Sequence, residues 1–598
     1  MPISRGNSVF KSHWIRDMGD FYGRNLFLAE TSATTGGLDS LLQPTGSLKK
    51  AMHLAAEAFG SQHTFFVTNG TSTANKIVLQ GLVKPGDIVL IDRDCHKSHH
   101  YAMVLSGAYP VYLDSYPLSD YTMYGAVPLA HIKEKLLGLK AEGKLERVKM
   151  LLLTNCTFDG IVYNVQRVME EVLAIKPDMI FMWDEAWFAY ARFTKIFRTR
   201  TAMYSARVLQ DKFRSGQYRA RYAAATAKQQ TAMVNPDQVS IRVYSTQSTH
   251  KTLTSMRQGS MIHVYDEDFK RKSEESFKEA FMTHTSTSAN YQILASLDIG
   301  RRQMMFEGYE LVDKSVEMSM SLRDKIINNP LLNKYFKVLV IEDLIPKKYR
   351  PSGLTMYYDP SHGWNELDTA WEGDEFVLDP TKMNIFIGNT GVNGDEFKSK
   401  YLMDQFGIQV NKTTRNSVLF MANIGTTRSS TAYLTGVLVR IAKQLDDAQR
   451  SMSRDELRLL DKKVRNLVEE CPPLPDFSAF HPYFKDHPSA LEGDLRKAFF
   501  MVYDEEHCEH LGLAECQEAL SNGRVPVSAN FVIPYPPGFP ILVPGQIVSA
   551  DILNFMIKLD VKEIHGYKAE LGLLVFKQAL LGPSGEAGNE VKNLIKKS

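Results

Sequence analysis

Apolar runs of strand length alternate with amphipathic segments of helix length through the first half of this 598-residue chain, and that alternation restricts the fold more than any other feature. The strand candidates are Thr64 to Thr68, Ile88 to Asp92, Val111 to Asp114, Met150 to Thr154, Met179 to Trp183, Ile241 to Ser245 and Ser260 to Val264. Several carry apolar residues at consecutive positions, as in strands covered on both faces. The pattern predicts an α/β sheet with crossover helices.

From about Tyr291 a long helical segment runs past Met318 to Ile327, and the strand-like FKVLVIE and MNIFIGN follow it, which reads as a second, smaller α/β unit. Prolines and aromatics break the helical pattern between Glu470 and Phe484 and mark a junction. The proline-rich stretch from Val532 to Gln546 is expected to be an ordered loop or a surface linker, because proline neither continues a helix nor pairs within a central strand. The expected organisation is an N-terminal arm over 1–37, a large domain over 38–300, a small domain over 301–450 and a C-terminal domain over 451–598. Within the large domain, Arg192 to Lys228 carries ten Lys or Arg against one acid, Asp211. It reads as an inserted, solvated helical pair, with a docking surface for an acidic partner or neighbouring subunit as the alternative.

Composition narrows the function classes. A net charge of +2 gives no reason to expect a nucleic-acid-binding protein, and 44% hydrophobic with 23% charged residues excludes wholesale disorder. Five cysteines without a C-x-x-C pair argue against a disulfide framework or a zinc site, so no metal is expected. Charges interrupt the N-terminus before a signal-peptide core can form, and no apolar run approaches the ~20 residues that span a bilayer. The expectation is a reduced, soluble, cytoplasmic protein with no membrane partner.

Three segments carry chemistry. In FFVTNGTSTANKIVLQ a strand ends at Thr68 and a helix starts near Ala74, so Thr71, Ser72 and Thr73 lie where a helix N-terminus favours an anion. Serine and threonine are also ordinary N-caps, and by itself the segment reads that way first. In MIFMWDEAW a strand delivers Asp184 to its carboxyl end, where α/β sheets place ligands, although a turn-forming aspartate fits equally. In STQSTHKTLTSMRQGSM, Ser248, His250 and Lys251 lie on a strand-to-strand connection, and the lysine is either a Schiff-base former or a plain surface lysine.

Taken together and in order, these segments resemble the Orn/Lys/Arg decarboxylase family of pyridoxal-phosphate enzymes. The resemblance rests on TNGTSTANK, DRDCHKSHH (Asp92 to His100), DEAW (Asp184 to Trp187), STHK (Ser248 to Lys251), HTSTSANY (His284 to Tyr291) and PYPPGFPILVPG (Pro534 to Gly545). It implies an α/β fold of the aspartate-aminotransferase type, fold type I, with a large, mostly parallel mixed sheet flanked by helices, a smaller α/β domain and an α+β C-terminal domain. It also implies pyridoxal 5'-phosphate as cofactor. Lys251 then holds the cofactor aldehyde, and Asp184 pairs with the pyridine nitrogen. His96 stacks on one ring face, Ala186 lies against the other, and Trp187 helps to close the pocket. Thr71, Ser72, Thr73 and Ser248 fall at phosphate-binding positions, His250 lies beside the lysine, and Ser286 reaches the phosphate of a neighbouring subunit in a homodimer.

The implied reaction is decarboxylation of a basic amino acid, arginine, lysine or ornithine. The substrate's α-amine displaces Lys251, the α-carboxylate leaves as carbon dioxide, and His250 or the freed Lys251 protonates Cα, a choice the sequence leaves open. An aminotransferase or oxidase on the same substrates is the alternative within enzymes. A cofactor-free assembly subunit is the alternative outside them, opposed by the joint presence of Lys251, Asp184 and His96. Two departures stand out. Larger family members carry an N-terminal wing domain, whereas linker-like sequence here starts almost at Met1, which removes a basis for expecting assemblies beyond a dimer. Gln546 stands where the family commonly has glutamate, and if it faced the substrate channel the attraction for a cationic side chain would weaken.

Overall fold

Seven strands occupy the positions that the apolar runs mark, each matching within two residues at either end. In the computed structural model, which describes residues 8–30, 38–359, 363–477, 479–534, 539–558 and 564–582, the elements run as follows. Helix α1 (Ser47–Phe59), strand β1 (His63–Val67) and helix α2 (Gly70–Leu82) lead to β2 (Ile88–Asp92), α3 (Lys97–Ser106), β3 (Tyr109–Leu113) and β4 (Val148–Thr154). Next come β5 (Ile180–Asp184), α4 (Ala202–Arg214), β6 (Arg242–Gln247), β7 (Ser260–Asp266), α5 (Glu274–His284) and α6 (Tyr291–Ile327). The later part holds β8 (Lys382–Phe386), β9 (Ser417–Met421), α7 (Arg428–Ser451), β10 (Cys508–Leu511) and β11 (Gly572–Phe576).

The chain divides into two units, Met1–Val83 with Val165–Val312, and Lys84–Asn164 with Asp313–Ser598. In the first unit β1, β7, β6 and β5 are neighbours in that order. Strands β5 and β6 run parallel, while β7 is antiparallel to both β6 and β1. Every residue of β5, β6 and β7 is buried; β5 carries the consecutive apolar residues that cover on both faces favours, while β6 also buries the polar Arg242, Ser245, Thr246 and Gln247. The register sets Asp184 opposite Thr246, Gln247 opposite Met261 and Val67 opposite Ser260. The ends of β1, β5 and β6 and the start of β7 therefore meet at one edge of this sheet.

Helix α1 buries Leu48, Met52, Ala55, Ala56 and Phe59, a single stripe at helical spacing, and stops at Gly60, whose left-handed backbone sends its N–H to the Ala56 carbonyl at 2.8 Å. Helices α2 and α5 approach so closely that a Cβ on Gly81 would stand 2.9 Å from the Phe277 Cα. The basic stretch 192–228 is helical, as expected. Its main helix, α4, buries Met203, Leu209 and Phe213 against the unit. Its charges are answered locally: Lys212 pairs with Glu170 at 2.6 Å, Arg219 with Asp237 at 2.7 Å, and Arg214 with Glu267. Those pairs fit the solvated reading.

In the second unit β2 lies between β4 and β3, all three parallel. A separate antiparallel sheet of Lys337–Val338, β8, β9 and Lys412–Thr413 packs with α7 around Ile326, Phe336, Ile385, Val418 and Ile441, the smaller α/β layer that the sequence suggests. The C-terminal part has its own antiparallel sheet of β10, β11 and Tyr567–Lys568, over a core of Cys516, Val532, Leu553 and Val575. Of the proline-rich segment, positions 535–538 lie outside the described residues, and Val532 and Leu542 form an isolated antiparallel bridge on either side of them.

Candidate active site

Helix α2 starts at Gly70, four residues before the expected start near Ala74. The reason is local. Gly70 has φ +76°, a left-handed value open to glycine, and its N–H donates to the Gln258 carbonyl at 2.8 Å. The chain therefore reverses at residue 70 itself, and Thr71, Ser72 and Thr73 form the first helical turn. Asn69 at the N-cap sends no side-chain hydrogen bond into that turn, so its N–H groups are not capped from there. Thr71 Oγ1 lies 2.6 Å from Ser248 Oγ and 3.1 Å from Ser260 Oγ, which gives three buried hydroxyls beside an N-terminal turn. Ser72 is exposed and stands outside this cluster, and Thr73 is buried.

Asp184 ends β5 with its carboxylate buried. Oδ1 accepts from the Ala186 N–H at 3.0 Å and Oδ2 from Asn75 Nδ2 at 3.2 Å. Both are donors, which favours the acceptor-only ionised form. The next residue, Glu185, faces the other way, as strand alternation requires, and its carboxylate is also fully buried. Glu185 Oε1 accepts from the Ala202 N–H at the start of α4 at 2.8 Å, and Oε2 accepts from Ser245 Oγ at 2.7 Å and Gln247 Nε2 at 3.1 Å. The chain continues from Gln247 Oε1 to His263 Nε2 at 3.1 Å and from His263 Nδ1 to Thr64 Oγ1 at 2.8 Å. Burial holds the His263 imidazole down at about 3, so the ring is neutral. It donates through Nε2 and accepts through Nδ1.

Lys251 lies in the helical turn Thr249–Thr252 between β6 and β7, with Nζ 4.0 Å from the centroid of the Trp187 ring. The preceding His250 is half-buried, and its Nδ1 lies 2.9 Å from the Gly259 carbonyl oxygen. Burial lowers its pKa, the Gly259 bond opposes that, and the charges of Lys251 and Arg257 lower it further. Ala186 is buried and Trp187 partly so. Ser286 is exposed, its Oγ accepting from the Ser288 N–H at 3.1 Å, and it is not among the gathered hydroxyls.

His96 belongs to the second unit, where it caps α3. Its Nδ1 accepts from the Ser98 N–H at 3.2 Å, which leaves Nε2 to carry the proton of the neutral ring. The expectation for Gln546 needs correction. The residue is 0% exposed and lines no open channel. Its Oε1 accepts from Arg93 Nη2 at 2.8 Å and from the Val543 N–H at 3.2 Å. Arg93 is buried as well, donating to the Phe477 and Pro540 carbonyls at 3.0 and 2.7 Å, so Gln546 is an internal partner of a buried guanidinium.

The structure thus brings Thr71, Ser248, Asp184, Ala186, Trp187, His250 and Lys251 to one unit, on elements that end at the same sheet edge. Sequence reasoning missed Asn75, Thr246, Ser260 and Glu185. Asn75 stands one helical turn after Thr71 and Thr246 two positions before Ser248, but neither spacing names the distant partner that gives the residue its role.

An α/β fold that places an amine, a buried carboxylate and a hydroxyl cluster in one unit, near the carboxyl ends of its parallel strands, presents the residue types of an enzyme site. A family model described as Orn/Lys/Arg decarboxylase, major domain, matches residues 2–216 and 218–430, and the chain belongs to that family. It is 29% identical over 561 residues to lysine decarboxylase LdcA of Pseudomonas aeruginosa, a match covering 88% of this chain and 68% of that protein. It is 25% identical to the constitutive ornithine decarboxylase of Escherichia coli, over 95% of this chain and 80% of that one. Among solved structures, the Francisella novicida lysine decarboxylase LdcF superposes with a TM-score of 0.70 at 26% identity, over 96% of this chain and 77% of that chain. The fold is therefore the expected α/β, fold type I architecture.

Proposed function

We propose that this protein is a pyridoxal 5'-phosphate-dependent carboxy-lyase that converts a basic amino acid, lysine, ornithine or arginine, into the corresponding amine and carbon dioxide. The observation that carries the reading is the placement of Lys251 Nζ 4.0 Å from the Trp187 ring, in the unit that also holds buried Asp184 and the Thr71, Ser248 and Ser260 hydroxyls. Family membership and the names of the relatives support the reaction and the substrate class.

The residues suit the cofactor. A Cβ at Gly70 would meet nothing within 4 Å, open space at the start of the turn that carries Thr71, and the N-terminal turn of α2 supplies N–H donors to an anion. A carboxylate at 184 suits a protonated ring nitrogen, and a primary amine at 251 suits an aldehyde. When bound, pyridoxal phosphate supplies the sink for the electron pair left when carbon dioxide departs. Asp184, held by Asn75 and the Ala186 N–H, maintains a negative charge at a fixed point. The Trp187 ring lies against the Lys251 amine. Lys251 Nζ is the group that would hold a proton and deliver it to the substrate's Cα.

A homodimer belongs to the same proposal. Trp14, Phe21 and Phe306, all in the first unit, are 93%, 82% and 81% exposed, side chains that a second copy would cover. A second copy covering them, with Ser286 reaching across, accounts for both exposures. A cytoplasmic setting is also proposed, in keeping with thiols at all five cysteines. Among the described residues no helix is long and apolar enough to cross a membrane.

The test is a product assay over a panel of amino acids with pyridoxal phosphate supplied. Equimolar amine and carbon dioxide from lysine, ornithine or arginine is the expected result. Consumption of those substrates without carbon dioxide, or no consumption of any, would overturn the reading.

A further inference from the structure

We propose that Asn75 is a positioning residue for Asp184, and that Thr246 fixes Asn75 in turn. The inference rests on the cofactor reading above and adds to it two residues to which the sequence motifs assign no role. Asn75 is 1% exposed and Thr246 0%, and burying an amide and a hydroxyl costs free energy unless each is paired. Here the pairing forms a line. Thr246 Oγ1 donates to Asn75 Oδ1 at 2.7 Å, and Asn75 Nδ2 donates to Asp184 Oδ2 at 3.2 Å.

That direction is the one a charged Asp184 requires. An ionised carboxylate only accepts, so the amide must turn its NH2 toward Asp184, which leaves Oδ1 for the threonine and makes the hydroxyl the donor. Opposite Oδ2, the Ala186 N–H holds Oδ1 at 3.0 Å. With one donor from the backbone after β5 and one from α2, the carboxylate plane has little freedom to rotate.

Asn75 also ties the two ends of the site together. It follows Thr71 by four residues, so both lie on one face of α2 about 6 Å apart along the axis. Thr71 belongs to the hydroxyl cluster and Asn75 to the carboxylate. A single rigid helix therefore sets the separation between the anion cradle and Asp184, while Thr246 and Ser248, on the strand that leads to Lys251, brace each end. An asparagine that merely filled space beneath the helix would need neither Asp184 nor Thr246 in register with it.

The experiment compares wild type, Asn75→Ala, Thr246→Val and Thr246→Ser, each loaded with pyridoxal phosphate. Four quantities are read: the midpoint of the pH titration of the bound cofactor's visible absorbance, cofactor affinity, kcat and KM, and the thermal midpoint of the cofactor-free protein. Asn75→Ala and Thr246→Val are expected to shift the absorbance titration and to lower kcat about tenfold to a hundredfold with KM little changed, because a misplaced charge acts on the reacting system rather than on substrate binding. Thr246→Ser, which keeps the hydroxyl, is expected to restore the wild-type titration. If both variants lose only thermal stability and keep the wild-type titration and kcat, the inference is overturned while the cofactor reading stands. If wild type itself shows no visible band with pyridoxal phosphate, the cofactor reading fails, and the positioning role fails with it.

Discussion

The ring of His250 is tied to the backbone of Gly259, with Nδ1 2.9 Å from the carbonyl oxygen. A carbonyl only accepts, so Nδ1 carries the hydrogen and the neutral ring presents a lone pair at Nε2. Burial, Lys251 and Arg257 all favour that neutral form. Of the two groups proposed to protonate Cα, the geometry therefore favours the Lys251 amine. His250→Gln, whose amide can still donate to Gly259, is expected to keep kcat within about tenfold of wild type, short of the hundredfold or more that follows loss of a general acid. Lys251→Ala is expected to abolish turnover. A loss in His250→Gln equal to that in Lys251→Ala would return the proton to the histidine.

Gln546 serves Arg93 rather than the substrate. Replacing it by leucine removes the acceptor from a buried guanidinium and from the Val543 N–H at once, which is expected to cost about 3 kcal/mol and to show as a lower denaturant midpoint. Gln546→Glu keeps an acceptor facing Arg93 and is expected to leave the relative kcat/KM for lysine, ornithine and arginine unchanged. A shift in that ranking would place the residue back on the substrate path.

Glu185 is a stability element for the basic insertion. Its buried carboxylate receives the Ala202 N–H of α4, Ser245 and Gln247, so Glu185→Ala leaves three buried donors short of a partner. A loss of about 3 kcal/mol or more is expected, with hydrogen exchange speeding up first at the start of α4. Uniform exchange across the unit would refute the link between Glu185 and the insertion.

Acid should weaken the fold through His263. Its folded pKa of about 3 lies below the ordinary 6.5, so the unfolded chain takes up a proton that the folded ring refuses. The stability present above pH 6.5 is lost as pH falls toward 3, with a slope of about 1.4 kcal/mol per unit for one such group. His481, held at about 4 by burial and Lys485, adds in the same sense. Urea midpoints measured from pH 7 to pH 4.5 should fall steeply for wild type and less steeply for His263→Gln. Equal slopes would contradict the assignment.

The strands are legible in the sequence because consecutive apolar residues need cover on both faces, and the 37-residue helix α6 because its pattern runs without a break from Tyr291 to Ile327. Asp184, Ser248 and Lys251 are legible because each stands at the end of such a strand or just past it. The start of α2 is displaced from its expected place because the backbone of one residue, Gly70, decides it. Asn75, Ser260 and Thr246 stay hidden because each acquires its meaning from a partner far along the chain: Asp184 is 109 residues from Asn75, and Thr71 is 189 from Ser260. Gln546 misleads for the same reason. Its partner, Arg93, lies 453 residues away, and no local signal separates a channel residue from a buried one.

The most direct measurement is borohydride reduction of the protein in the presence of pyridoxal phosphate, followed by peptide mass mapping. The account predicts one pyridoxyl group per chain, on the ε-nitrogen of Lys251. Labelling of other lysines with position 251 unmodified, or no stable label at all, would contradict it.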